Sequence, residues 1–184
     1  MICNRLSQCI ASEYKKGKCE KDNTKDADIF ECDKKQKCML VADDRSNIKC
    51  EENRKVYNVE NTQKQKVLLY KMDGGIVEVD ASVDEKICKC DYLYITQDNR
   101  AILTELKGTD VKHALNQIDG TITLFNKILS GCNSVFGRII MSSAAPRLSA
   151  TPQYTKLLSR LKRMNGNLKL KENKMTEKIN ELDK

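Results

Sequence analysis

Three residues have the types and spacing to do chemistry: Asp91, Glu105 and Lys107. The stretch Cys90-Asp91-Tyr92-Leu93-Tyr94-Ile95-Thr96 and the stretch Ala101-Ile102-Leu103-Thr104-Glu105-Leu106-Lys107-Gly108 both have the β-branched, aromatic-rich composition of strands. Gln97-Asp98-Asn99-Arg100 between them is turn-like, which predicts a hairpin. Side chains alternate along a strand, so Glu105 and Lys107 share one face while Thr104 and Leu106 take the other, and Asp91 shares its face with Leu93 and Ile95. Antiparallel pairing then brings two carboxylates and an amine together at one end of an otherwise apolar hairpin. Isolated charges are costly to bury, so such a cluster needs a metal ion or a ligand.

In a chain with 32% charged residues, Glu-x-Lys on a strand is commonly no more than a solvated pair. Three neighbours favour chemistry. Gly108-Thr109-Asp110 and an amphipathic helix follow Lys107 at once, Asp91 precedes Glu105 by the gap a two-strand metal site needs, and the region after the helix is basic.

That helix is the clearest element. Val111, Ala114, Leu115, Ile118, Ile122, Phe125, Ile128 and Leu129 recur at helical spacing, with Thr109 or Asp110 as N-cap and Gly131 as C-cap. Lys112, His113 and Gln117 lie on its first turns, nearest the charged end of the hairpin. Gln117 could reach a phosphate or base from there, or be a solvated residue beside the core stripe; His113 reads as structural. Val135-Phe136-Gly137-Arg138-Ile139-Ile140-Met141 is nearly all apolar and predicts a central strand. A right-handed crossover would set it parallel to a hairpin strand.

Upstream, Val67-Leu68-Leu69-Tyr70 and Ile76-Val77-Glu78-Val79-Asp80 read as strands around an Asp73-Gly74-Gly75 turn, with Glu78 or Asp80 as a further carboxylate. Downstream of Pro146 and Pro152, Tyr154, Leu157, Leu158, Leu161 and Met164 mark a second amphipathic helix whose Lys156, Arg160, Lys162 and Arg163 either contact phosphates or form an ordinary solvated face. Asn167 to Lys184 reads as a strand fragment and a short helix.

The 184-residue chain suits one domain plus an appendage. We divide it into a Cys- and Lys-rich N-terminal extension, residues 1–60, and a main α/β domain, residues 61–184. In the extension, Asn4–Tyr14 predicts a short helix and Met39-Leu40-Val41 a brief strand, and the charge of the rest disfavours order. No apolar run approaches the ~18 residues of a membrane span, and Met1–Cys9 lacks the apolar region of a signal peptide, so no membrane partner and an intracellular, cytoplasmic location are expected. The net charge of +7 points to anionic partners, DNA first and RNA second. Six of the nine cysteines fall in the first fifty residues. Core thiols, disulfides and a Zn2+ site, with Cys3, Cys9, Cys32 and Cys38 as candidate thiolates, all remain open.

At Asp91 followed by Glu105-Leu106-Lys107 the chain resembles the PD-(D/E)XK nuclease superfamily. The wider string Lys89-Cys90-Asp91-Tyr92-Leu93, Glu105-Leu106-Lys107-Gly108 and Gln117 looks like a small prokaryotic-type branch of it, and the resemblance covers residues 66–164. It implies the restriction-endonuclease-like fold, a mixed β-sheet flanked by helices with the site at the end of a hairpin followed by a helix. It further implies that Asp91 and Glu105 ligate Mg2+ (or Mn2+), that the backbone carbonyl of Leu106 completes the protein's share, and that Lys107 orients or helps activate the attacking water. Gln117 matches a helix glutamine that many members hold near the DNA, and Lys112, Arg160 and Arg163 are expected to contact nucleic acid. The proline of the family name is replaced by Cys90. For the upstream glutamate of many members, the candidates are Glu52, Glu60 and Glu78. A divalent cation of this kind polarises a phosphoryl oxygen and lowers the pKa of a bound water, while a lysine adds positive charge where the transition state gathers negative charge. The expected function is a metal-dependent endodeoxyribonuclease, working as a homodimer if it cuts both strands. Two alternatives stand beside it: a catalytically inactive nuclease-fold module that binds nucleic acid or protein, and a zinc-stabilised adaptor centred on the N-terminus.

Overall fold

Short apolar segments on either side of tight turns build the centre of the molecule. The computed structural model describes residues 5–15, 35–77, 88–143 and 151–184. The helices are α1 (Leu6–Lys15), α2 (Lys35–Cys38), α3 (Val111–Leu124), α4 (Asn126–Leu129) and α5 (Pro152–Arg163); the strands are β1 (Met39–Asp43), β2 (Asn47–Glu52), β3 (Lys55–Glu60), β4 (Val67–Lys71), β5 (Tyr92–Thr96), β6 (Arg100–Leu106), β7 (Ser134–Met141), β8 (Leu168–Glu172) and β9 (Lys174–Lys178). They form a six-stranded mixed sheet in the order β1-β4-β5-β6-β7-β8 and a three-stranded mixed sheet in the order β2-β3-β9. The class is mixed α/β.

The expected hairpin is β5–β6, with Tyr92 opposite Thr104 and Leu93 opposite Leu103. Asn99 closes its turn in the left-handed region at φ 58°, which asparagine tolerates better than most residues. The chain then climbs through α3 and α4 and returns as β7, parallel to β6 with Leu106 opposite Ile140. Every residue of β7 is buried, as a strand covered on both faces requires. Leu68, Tyr70, Leu93, Ile95, Leu103, Val135 and Ile139 pack with α1, α3 and α5, whereas Val67, Leu69, Tyr92, Tyr94, Ile102, Phe136 and Ile140 pack with the three-stranded sheet. The period of two thus splits the core in half, giving three layers: helices, large sheet, small sheet.

Several expectations change in detail. Asp110 caps α3 by accepting from the amide of His113, but the helix ends at Leu124 rather than near Gly131. Asn126, a poor helix-interior residue, begins a separate turn. Asp73-Gly74-Gly75 is a turn, with Gly74 at φ 69°. Its exit is an isolated Asp73–Val77 bridge rather than a strand from Ile76, and residues 78–80, with Glu78 and Asp80, lie outside the described residues. The tail forms two strands and then a single helical turn at Ile179–Glu181: β8 extends the large sheet parallel to β7, and β9 joins the small sheet parallel to β3. Strand pairing also crosses the boundary drawn at residue 60, because β1 pairs with β4 and β3 with β9. Among the described residues no helix is long and apolar enough to cross a membrane.

Candidate active site

Asp91 is the residue before β5. Its carbonyl accepts from the amide of Met72 at 2.8 Å, which ties it to the end of β4, and its Oδ2 accepts from the amide of Leu106 on β6 at 2.7 Å. Burial pushes its carboxyl up to about 6; the nearby charges of Glu52 and Asp73 add to the rise, against the Leu106 amide and Lys107. The family resemblance assigns Leu106 a carbonyl role; in the fold its amide already works on Asp91.

Glu105 lies one residue earlier on β6 and is 1% exposed. Its Oε1 is 3.9 Å from Nζ of Lys107, and its Oε2 is buried with no hydrogen-bond partner. Burial, then the charge of Asp91, pushes its carboxyl up to about 9, and Lys107 offsets this only in part. Lys107 is half-buried, its side chain 29% accessible, while its amide continues the ladder to Ile140 at 2.8 Å. One face of the hairpin end therefore holds all three residues, as strand alternation requires. Their charge does not balance once both carboxyls ionise, since buried Glu105 and half-buried Asp91 then face one ammonium.

This imbalance is a test of fit for a cation. A buried carboxylate oxygen without a donor and two carboxyls held above their ordinary range are both relieved by added positive charge. Among the described residues no group of three or more His, Cys, Asp or Glu is arranged to hold a metal, so the side-chain donors here are two. Mg2+ is commonly held by one or two carboxylates together with waters and substrate phosphates. The donor set fits such an ion.

Gln117 faces this region from α3, but its Nε2 donates to the carbonyl of Lys89 at 3.0 Å, and its Oε1 is buried without a partner. Lys89 pairs with Asp73 at 3.2 Å with its side chain 13% exposed, setting a second lysine and a third carboxylate beside the cluster. Sequence reading did not single these two out; Lys89 directly precedes Cys90-Asp91, and that proximity was the available signal.

The basic candidates divide. Lys112 on the first turn of α3 and Arg163 at the end of α5 are exposed. Arg160 is committed to the fold: its Nη1 donates to Oδ1 of Asp119 at 2.6 Å and to Oγ1 of Thr123 at 2.9 Å, joining α5 to α3. Glu52, at the end of β2, is felt electrostatically at Asp91, while Glu60 sits at the other end of the small sheet, opposite Asn47. Of the proposed zinc thiolates, Cys3 and Cys32 lie outside the described residues. Cys9 and Cys38 are buried in the helix-side core, where Cys9 accepts from the Tyr70 hydroxyl at 3.5 Å. Cys50 and Cys90 are buried free thiols.

No protein-family model, curated protein or solved structure matches the chain.

Proposed function

We propose that the chain is a metal-dependent nuclease that hydrolyses phosphodiester bonds of DNA at the Asp91, Glu105 and Lys107 cluster, on a restriction-endonuclease-like core running from β4 to α5. The observation that carries this reading is the buried Glu105 carboxylate, its Oε2 lacking any donor, set beside half-buried Asp91 and with a half-buried lysine at the rim. A purely structural cluster would have been closed by another donor. The antiparallel β4-β5-β6 meander followed by α3 and a parallel β7 also agrees with the element order the resemblance implies.

Asp91 and Glu105 would hold Mg2+ or Mn2+, which supplies polarisation of a phosphoryl oxygen and of the attacking water. The chain's own residues do the rest. Leu106, through its amide, fixes which oxygen of Asp91 faces outward. Glu105, walled in by core, keeps bulk water from the inner side of the cluster. Lys107 sits at the open side, orients the attacking water and lies where negative charge gathers on the phosphoryl oxygens. The water oxygen bonds to phosphorus as the water gives up a proton to solvent, the bond to the leaving sugar oxygen breaks, and that oxygen takes up a proton from solvent to leave as the alcohol. Exposed Lys112, on the first turn of α3, draws the polyanion in, with affinity that falls as salt rises.

The test is cleavage of supercoiled plasmid, linear duplex and single-stranded DNA with Mg2+, Mn2+ or EDTA, beside Glu105→Gln and Lys107→Ala. Metal-dependent nicking that both variants lack, with folding and DNA binding retained, is expected. Absence of cleavage by the folded wild-type protein would leave a binding module without catalysis.

A further inference from the structure

Asp91 belongs to no strand, so something must hold the segment that delivers it. Three positions on one face of α3, Gln117, Gly120 and Thr121, spaced i, i+3 and i+4, grip residues 88–90. The buried amide of Cys90 donates to Oγ1 of Thr121 at 2.7 Å, and that hydroxyl donates in turn to the carbonyl of Gln117 at 2.8 Å. Nε2 of Gln117 holds the carbonyl of Lys89 at 3.0 Å. Gly120 makes the approach sterically possible: a Cβ there would lie 2.5 Å from Cβ and 2.7 Å from the carbonyl oxygen of Cys88. Thr121 and Cys90 are both fully buried.

We infer that Thr121 and Gly120 are positioning residues for the Asp91 carboxylate, so that α3 sets the geometry of the cation site without touching it. This rests on the cation-dependent reading above. Asp91 is otherwise held by the Met72 amide on its carbonyl and the Leu106 amide on its Oδ2, both from the sheet. The sheet holds Asp91 itself, whereas the Thr121 hydroxyl and Gln117 hold the preceding 89–90 peptide from the helix layer. Thr121 is isosteric with valine, so removing only its hydroxyl is feasible. The buried Cys90 amide then loses its acceptor, and the 89–90 peptide is left with Gln117 as its one remaining hydrogen bond to α3. Loss of such supporting contacts commonly weakens metal affinity about 10- to 100-fold.

The experiment measures Mn2+ affinity by calorimetry, together with kcat and KM for plasmid nicking and the thermal midpoint, on the wild type, Thr121→Val, Thr121→Ser and Gly120→Ala. Thr121→Val is expected to bind Mn2+ at least about tenfold more weakly and to lose kcat with KM for DNA unchanged. Thr121→Ser, which keeps the hydroxyl, restores both. Gly120→Ala, which displaces residue 88, exceeds Thr121→Val. Wild-type Mn2+ affinity in a folded Thr121→Val, or equal losses in the valine and serine variants, overturns the inference. A wild-type protein that binds no Mn2+ overturns the nuclease reading itself, and this inference with it.

Discussion

Buried charge occurs on both faces of the large sheet, under opposite rules. On the face covered by the small sheet, Arg138 is fully buried and each nitrogen of its guanidinium has an acceptor. Nε bonds Glu177, Nη1 reaches Oδ1 of Asn167 at 2.7 Å and the carbonyl of Gly137 at 2.9 Å, and Nη2 reaches the carbonyl of Leu182 at 3.1 Å. Glu177 also accepts from the Tyr57 hydroxyl at 2.9 Å and from Lys169 at 2.7 Å. Burial works to raise the Glu177 carboxyl, but the Arg138 charge and hydrogen bond, with help from Lys169, hold it below its ordinary value. On the helix face, Glu105 is just as buried, yet one oxygen has no donor and its carboxyl is pushed up to about 9. The closed network holds the C-terminal strands to β7. The open one costs the fold stability, a cost that the proposed cation would offset.

The comparison breaks most visibly at Arg138. Arg138→Leu leaves Glu177 buried without its main partner, and we expect a loss of about 3–5 kcal/mol by denaturant unfolding; a change below about 1 kcal/mol would mean the network does not hold the tail. Glu105→Gln should move the other way. Because the folded-state value of Glu105 lies above its unfolded value, the native state keeps a proton that the unfolded chain gives up. Its contribution is present at low pH and is lost as pH rises from the ordinary carboxylate range towards about 9. The metal-free variant is therefore expected to be more stable than the wild type at pH 8, by a few kcal/mol at about 1.4 kcal/mol per pH unit, with the gain shrinking towards pH 5. Thermal unfolding with EDTA across that range measures it.

Cation affinity sharpens the same contrast. Ligand carboxylates must be deprotonated to bind, so with Asp91 pushed up to about 6 and Glu105 to about 9, Mg2+ or Mn2+ affinity should rise with pH across that interval, by up to about tenfold per unit for each proton displaced. A flat profile would place the ion elsewhere. The smallest effects are expected on α5. Arg160→Ala removes a half-exposed bridge to Asp119 and should cost no more than about 1 kcal/mol, with little effect on DNA affinity, whereas Arg163→Ala should weaken DNA binding modestly and reduce its salt dependence.

The open cluster was legible in the sequence and the closed one was not. Alternation along β5 and β6 is enough to put Asp91, Glu105 and Lys107 on one face, because hairpin partners are close in sequence. Helix α3 was likewise readable from its period, and strand β7 from its unbroken apolar run. Arg138 instead stands as a lone polar residue in an apolar run, with partners 29, 39 and 44 residues away. Arg160 looked like a phosphate contact because Asp119 is 41 residues distant. The β2–β3 hairpin escaped notice because its turn is Asn53-Arg54, at φ 47° and 64°, with none of the glycine that usually marks such a turn. The parallel pairing of β9 with β3 joins segments that no local pattern connects.

The most direct measurement of the central claim is a calorimetric titration of the wild type and Glu105→Gln with Mn2+ at pH 7, in two buffers of different ionisation enthalpy. The account predicts binding to the wild type with release of a proton from the Asp91/Glu105 pair, and its loss in the variant. A folded wild type that takes up no ion, or a variant that binds equally well, would contradict it.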